Sequence, residues 1–307
     1  MTSGNSPPAE AVTGWQRQRE RANAFWLRAL FRVALGLGRP AARALLYPIT
    51  LYFWLTSPRV RAASRGYLQR VPGHPPRAGD GLRHIFSFAA VSVDRIFLLS
   101  GRDRALAVAE VRPPEVAAVA DGGGGCLLFT SHLGGYETMR MTGTHRRHLP
   151  LKILMDREHG RVLMQMLDAL RVSMGEFVID SAQGGPALVL EVKAALDGGH
   201  MVCMNADRVR GDEKTVTVDF LGGKVRLAAS PWLLAHSLRT PVIIGFGLYE
   251  GGNRYRNHFE LFAQRVEIPR ERREQALQEY AQRYADRLAH YAKLAPFNWF
   301  NFYEYWA

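Results

Sequence analysis

Cysteine is nearly missing from these 307 residues: Cys126 and Cys203 are the only two, which excludes a disulfide scaffold and a cysteine-rich metal site. Both lie in apolar runs of strand length, where a thiol packs as a small hydrophobe. Long apolar runs are lacking too. The uncharged stretch at residues 44–56 has thirteen positions and is interrupted by Pro48, short of the roughly 20 residues a bilayer-spanning helix needs. No fixed-period repeat or low-complexity tract appears, which excludes a solenoid. The start lacks the cationic stretch and apolar core of a secretory signal; residues 1–13, with two prolines, read as a disordered lead. Lysine is missing from residues 1–70, which hold eleven Arg and two acids, Glu10 and Glu20; eleven minus two puts +9 of the chain's net +12 in its first quarter.

What is present is an ordinary globular composition, 47% hydrophobic and 22% charged, enough for a sizeable core. Residues 14–82 form a basic, partly apolar region. From Trp15 the periodicity is helical, and Arg21, Arg28 and Arg32 fall within about 40° of one another on a helical wheel, beside Phe25, Trp26, Leu30 and Phe31. Basic groups interleaved with bulky apolar ones suit an anionic membrane surface better than nucleic acid. Residues 44–56 read either as an interfacial or re-entrant anchor or as a buried hairpin packed on the main domain. Residues 57–82, rich in turn formers, read as a connector.

Residues 83–307 form the second unit. An apolar helix is expected at 85–100, and strand and helix then alternate. Strands are expected at 126–130, 151–155, 177–180, 201–204, 215–220 and 242–249. Gly251-Gly252-Asn253 turns the last of these into a hairpin with 255–262. Helices are expected at 158–171, after Pro186 and stopping at Gly198, after Pro231, and over 269–294. The fold class is α/β: a mixed, mostly parallel sheet with helices on both faces, preceded by the basic helical segment.

The chain is organised around Cys126 to Glu137. An apolar strand delivers His132 onto a turn holding Gly134 and Gly135, at the strand edge where ligands gather in open α/β sheets. Glu137 follows at +5. With ten His and 28 acids in 307 positions that spacing arises about once by chance, so His132 reads as a catalytic base or as a structural histidine. If the glycine pair bends the chain, Glu137 orients His132 as general base, and the N–H groups of Gly134 and Gly135 are free to face an oxyanion. Arg157 follows a strand and is expected at the same edge, as an anion-holding cation or a surface arginine. Asp207 and Arg208 follow another strand, as a substrate contact or an ordinary salt-bridged pair. His145, His148 and His159 show no metal-ligand spacing. Seven rings between Phe297 and Trp306 form a cap on the core or an interfacial belt.

Ser131-His132-Leu133-Gly134-Gly135-Tyr136-Glu137 resembles the His-x4-Asp/Glu signature of the lysophospholipid and lipid A biosynthesis acyltransferases, in the form of the late lauroyl/myristoyl-type enzymes. Met155-Asp156-Arg157, Asn205-Ala206-Asp207-Arg208, Phe220-Leu221-Gly222 and Thr240-Pro241-Val242-Ile243-Ile244 resemble that family's later blocks, in order. The ending Asn298-Trp299-Phe300-Asn301-Phe302-Tyr303 is similar to relatives found with aryl-polyene pigment and glycolipid pathways. The resemblance implies an O-acyltransferase at the cytoplasmic face of a bacterial inner membrane. Its donor would be an acyl thioester, on acyl carrier protein or CoA, and its acceptor a lipid or glycolipid hydroxyl. It implies no other cofactor, no metal and no nucleic acid, and assigns His132 and Glu137 to catalysis and Gly134, Gly135, Arg157, Asp207 and Arg208 to substrate. A non-catalytic lipid-binding protein and a glycosyltransferase are the rival classes.

Overall fold

The computed structural model describes residues 13–73, 75, 77–139, 151–157 and 178–306, except the side chains of 13–32. Three helices lead: α1 (Thr13–Thr56), α2 (Pro58–Arg70) and α3 (Asp80–Leu99). Then come β1 (Ala107–Val111), α4 (Pro114–Asp121), β2 (Cys126–Thr130), β3 (Leu151–Met155), β4 (Val178–Asp180) and α5 (Gly185–Asp197). The chain continues through β5 (Met201–Asn205), β6 (Thr215–Phe220), β7 (Gly223–Ala228), α6 (Ser230–Leu238), β8 (Val242–Gly251), β9 (Arg254–Ala263) and α7 (Arg273–Leu294).

Seven strands form one sheet in the order β1-β9-β8-β2-β5-β3-β4, in which every pairing is parallel except the β8–β9 hairpin. β6 and β7 pair as a separate antiparallel ribbon. The middle of the sheet falls on β2, whose five residues are all buried, as expected of a parallel strand covered on both faces. Its period-2 alternation sorts the helices. Leu127 and Phe129 join the core with Trp232 of α6 and Leu277 of α7, while Cys126 and Leu128 join a second cluster with Val116 of α4. The expected mixed, mostly parallel sheet with helices on both faces is therefore present.

The N-terminal region departs from expectation. Residues 58–70 are helical, not a connector, because the turn formers that suggested one cluster after Arg70 while Pro58 sits at a helix start, where its missing N–H costs nothing. α1 runs through residues 44–56 despite Pro48, with a break at Gly38, whose φ of 81° is open to glycine. Within that stretch Leu46 and Thr50 are buried, whereas Tyr47, Leu51, Tyr52 and Leu55 are exposed. The segment is therefore a helix and not a hairpin, packed on the protein along one face and exposed along the other. A buried carboxylate locks α1 to the rest: Asp94 of α3 takes the Arg39 guanidinium at 2.7 and 3.0 Å and the Tyr255 hydroxyl at 2.8 Å. No described helix is long and apolar enough to cross a membrane. Strand β1, helix α4 and strand β7 were not expected, and the helix expected at 158–171 lies outside the described residues.

Candidate active site

β2 and β5 run parallel in register, Thr130 opposite Asn205, so the residues that follow each strand emerge side by side. Ser131-His132 leaves one and Ala206-Asp207 the other, and Ala206 N–H still donates to Thr130 O at 2.9 Å. Asp207 is fully buried. Its Oδ1 accepts from His132 Nδ1 at 2.9 Å and its Oδ2 from the His132 main-chain N–H at 2.9 Å, so one carboxylate fixes both ring and backbone. The ring nitrogen facing the carboxylate carries the proton, and the lone pair is on Nε2. The His132 side chain keeps 30% of its exposure, which leaves the ring reachable.

Burial lowers the His132 pKa below its ordinary value against the pull of Asp207, and the cations Arg208 and Arg95 push the same way. For Asp207, burial works upward but is outweighed by facing His132, hydrogen bonds from it and Arg208, leaving a pKa of about 2. At neutral pH the pair is imidazole plus carboxylate, the protonation state of a general base with its orienting acid.

The aromatic tail completes this arrangement. Trp299 Nε1–H donates to Asp207 Oδ2 at 3.3 Å, and the Tyr305 hydroxyl donates to the Asp207 carbonyl. Trp299 is itself seated by His84, whose Nε2 donates to Trp299 O at 2.9 Å while its Nδ1 accepts from Ser64 Oγ at 2.9 Å. Burial pushes His84 down to about 4, so it serves as a neutral, structural imidazole. Trp299 and Tyr305 thus brace Asp207 behind His132, and Phe297, Phe300, Phe302 and Trp306 pack on the core with them.

Glu137 does not fill the role expected of it. Gly134 does bend the chain, with φ 73°, but the bend docks the backbone on β8 rather than folding it back on His132. Gly134 N–H donates to Asn298 O at 2.7 Å and Gly135 N–H to Gly247 O at 2.8 Å. A Cβ on Gly134 would stand 1.9 Å from Gly247 O, so only glycine fits this approach. Glu137 is thereby carried to α3, where it is buried and meets Arg95 Nε at 2.5 Å. That contact is an ion pair whose alignment leaves neither carboxylate oxygen a well-formed hydrogen bond. The same two hydrogen bonds correct the second expectation: the N–H groups of Gly134 and Gly135 are spent on the fold and are not available to an oxyanion.

Arg157 follows β3 at the C-terminal edge, but its partner there is Asp180, with Nε 3.9 Å from the carboxylate, and the structure does not set it against His132. Arg208 donates to Phe300 O at 3.0 Å and lies 5.4 Å from the Tyr303 ring centroid, close enough for its charge to act on both members of the pair. His145, His148 and His159 fall outside the described residues.

A model of the bacterial lipid A biosynthesis acyltransferases matches residues 114–307, a span that holds the His132–Asp207 pair and the bracing tail. The chain belongs to this family. Membership makes it an acyltransferase, with an acyl donor and a lipid acceptor as its general substrates. A comparison with curated proteins finds no match. Three residues around the pair had no role in the sequence reading, Trp299, Arg95 and Asn205, although Trp299 and Asn205 stand within the blocks that carry the resemblance. The first two come from 92 residues after Asp207 and from α3, and no local spacing announces them. Asn205 was legible only as a neighbour of Asp207: it ends β5, two positions earlier.

Proposed function

We propose that this acyltransferase moves an acyl chain from a thioester, carried by acyl carrier protein or CoA, to the hydroxyl of a lipid or glycolipid, with His132 as general base. The observation that carries the reading is the His132 Nδ1–Asp207 Oδ1 contact of 2.9 Å, which leaves Nε2 as a lone pair on a reachable ring. As the acceptor oxygen attacks the thioester carbonyl, its proton passes to Nε2 and Asp207 steadies the imidazolium. The tetrahedral oxyanion then collapses, the C–S bond breaks, and the leaving thiolate takes the proton back from Nε2. No covalent enzyme intermediate is needed.

The basic, apolar N-terminal region supports placement at the cytoplasmic face of the inner membrane. Leu37, Tyr47, Leu51, Tyr52 and Leu55 leave an apolar face of α1 exposed, and a chain of net charge +12 suits both anionic lipid and an acidic carrier protein. Lipids related to pigments or glycolipids are favoured as acceptors by the C-terminal ending. Incubating wild type and His132→Ala with radiolabelled acyl thioester and total bacterial lipid tests the proposal. Label should enter lipid with wild type and fall by at least about a thousandfold with the variant; equal label in both would refute it.

A further inference from the structure

Acyl transfer needs a donor for the negative oxygen of the tetrahedral intermediate, and several main-chain donors around His132 are already committed. His132 N–H is committed to Asp207, Gly134 N–H to Asn298, Gly135 N–H to Gly247, Thr138 N–H to Gly135 and Ala206 N–H to Thr130. We infer that the side-chain amide of Asn205 is the oxyanion donor, a catalytic residue acting beside His132 in the acyl transfer proposed above.

Three features of the geometry support this. Asn205 ends β5 opposite Thr130, which brings its Nδ2 to 3.5 Å from His132 Nε2. That separation is too long for a strong hydrogen bond, and it suits two groups that face one reacting centre, a base for the attacking oxygen and a donor for the carbonyl oxygen. The amide is also held in orientation: Thr130 Oγ1 donates to Asn205 Oδ1 at 2.7 Å, which turns the NH2 toward the imidazole. The opposite flip would set an amide oxygen against the Nε2 lone pair, two acceptors face to face, and would be repelled. Finally, the amide is neutral, so it adds a donor without charging the site and leaves His132 the unprotonated base that the reaction needs. Arg208 is already engaged with Phe300 O and the Tyr303 ring.

The test compares acyl transfer from a thioester to bacterial lipid by wild type, His132→Ala, Asn205→Ala, Thr130→Val and Thr130→Ser, with thermal melting of each to establish folding. Removing one oxyanion donor costs about a hundredfold to a thousandfold in kcat, so Asn205→Ala should lose that much with KM within about threefold. Its acid limb in the pH profile should stay where His132 sets it. Thr130→Val, which frees the amide to rotate, should lose about tenfold, and Thr130→Ser, which keeps the hydroxyl, should recover most of it. Folded Asn205→Ala with the kcat of wild type, alongside an inactive His132→Ala, overturns the inference and leaves the acyl-transfer reading standing. A loss in Asn205→Ala confined to KM overturns it as well. Wild type and His132→Ala transferring equal label would overturn the acyl-transfer reading itself, and this inference with it.

Discussion

At the scale of single residues, the His132–Asp207 pair governs what the site can do. Because burial holds the His132 pKa below its ordinary 6.5 while Asp207 sits near 2, the pair is competent wherever the imidazole is neutral. For a general base the active form is the deprotonated one, so kcat/KM should climb as pH rises through a value under 6.5 and be level at neutral pH. Steady-state rates across pH 4.5–8 measure this, and a limb centred above pH 7 would contradict it. Trp299 tunes the same pair. Trp299→Phe keeps an aromatic ring but removes the indole donor to the Asp207 carboxylate, which makes that carboxylate a stronger partner for the imidazolium and moves the acid limb upward. Activity near pH 6 should therefore drop about threefold and return at pH 8. The sequence disclosed His132 because a strand, a histidine and a glycine turn are contiguous. Its true carboxylate partner was named but not recognised as such: Asp207 lies 75 residues away and meets His132 only because β2 and β5 pair in parallel, a fact of topology that no local spacing encodes.

Among the elements, those with strong periodicity were legible. The β8–β9 hairpin follows from its glycine turn, α5 from its proline start and glycine end, and α7 from its long amphipathic run. Elements that depend on neighbours were not: β1 pairs only at the sheet edge, α2 lacks a strong apolar pattern, and α1 passes its own helix breakers because α3 covers one of its faces. The glycine turn after β2 bends the chain as its residues predict, but toward β8 and not back on His132. It seats the backbone of Gly134 against Gly247 with no space for a side chain. Gly134→Ala should cost about 3 kcal/mol or more, since both the left-handed φ and a backbone clash oppose the methyl group. Chemical denaturation of the variant measures this, and a midpoint equal to wild type would show that the turn can move aside.

For the whole molecule, the N-terminal helices pack on the sheet along one face and present an apolar face outward along the other. Asp94 anchors α1 from inside, while Leu51 and Leu55, 47% and 59% exposed, face outward with Tyr47 and Tyr52. If this face docks on lipid, the double variant Leu51→Asp, Leu55→Asp should lose at least about tenfold in binding to anionic phospholipid vesicles by co-sedimentation, through lost apolar burial and added repulsion, while its melting temperature stays within a few degrees. Unchanged vesicle binding would remove that face from the account.

The carboxylate beside His132 is Asp207, whereas Glu137 belongs to a buried ion pair with Arg95. Initial acyl-transfer rates of Asp207→Asn and Glu137→Gln, each checked to be folded, test it most directly. Asp207→Asn should lose about a thousandfold or more in kcat, because an amide cannot hold the Nδ1–H tautomer. Glu137→Gln should keep kcat within about tenfold and lose chiefly stability, having left Arg95 unpaired. The reverse order, with Glu137→Gln dead and Asp207→Asn active, would contradict the assignment.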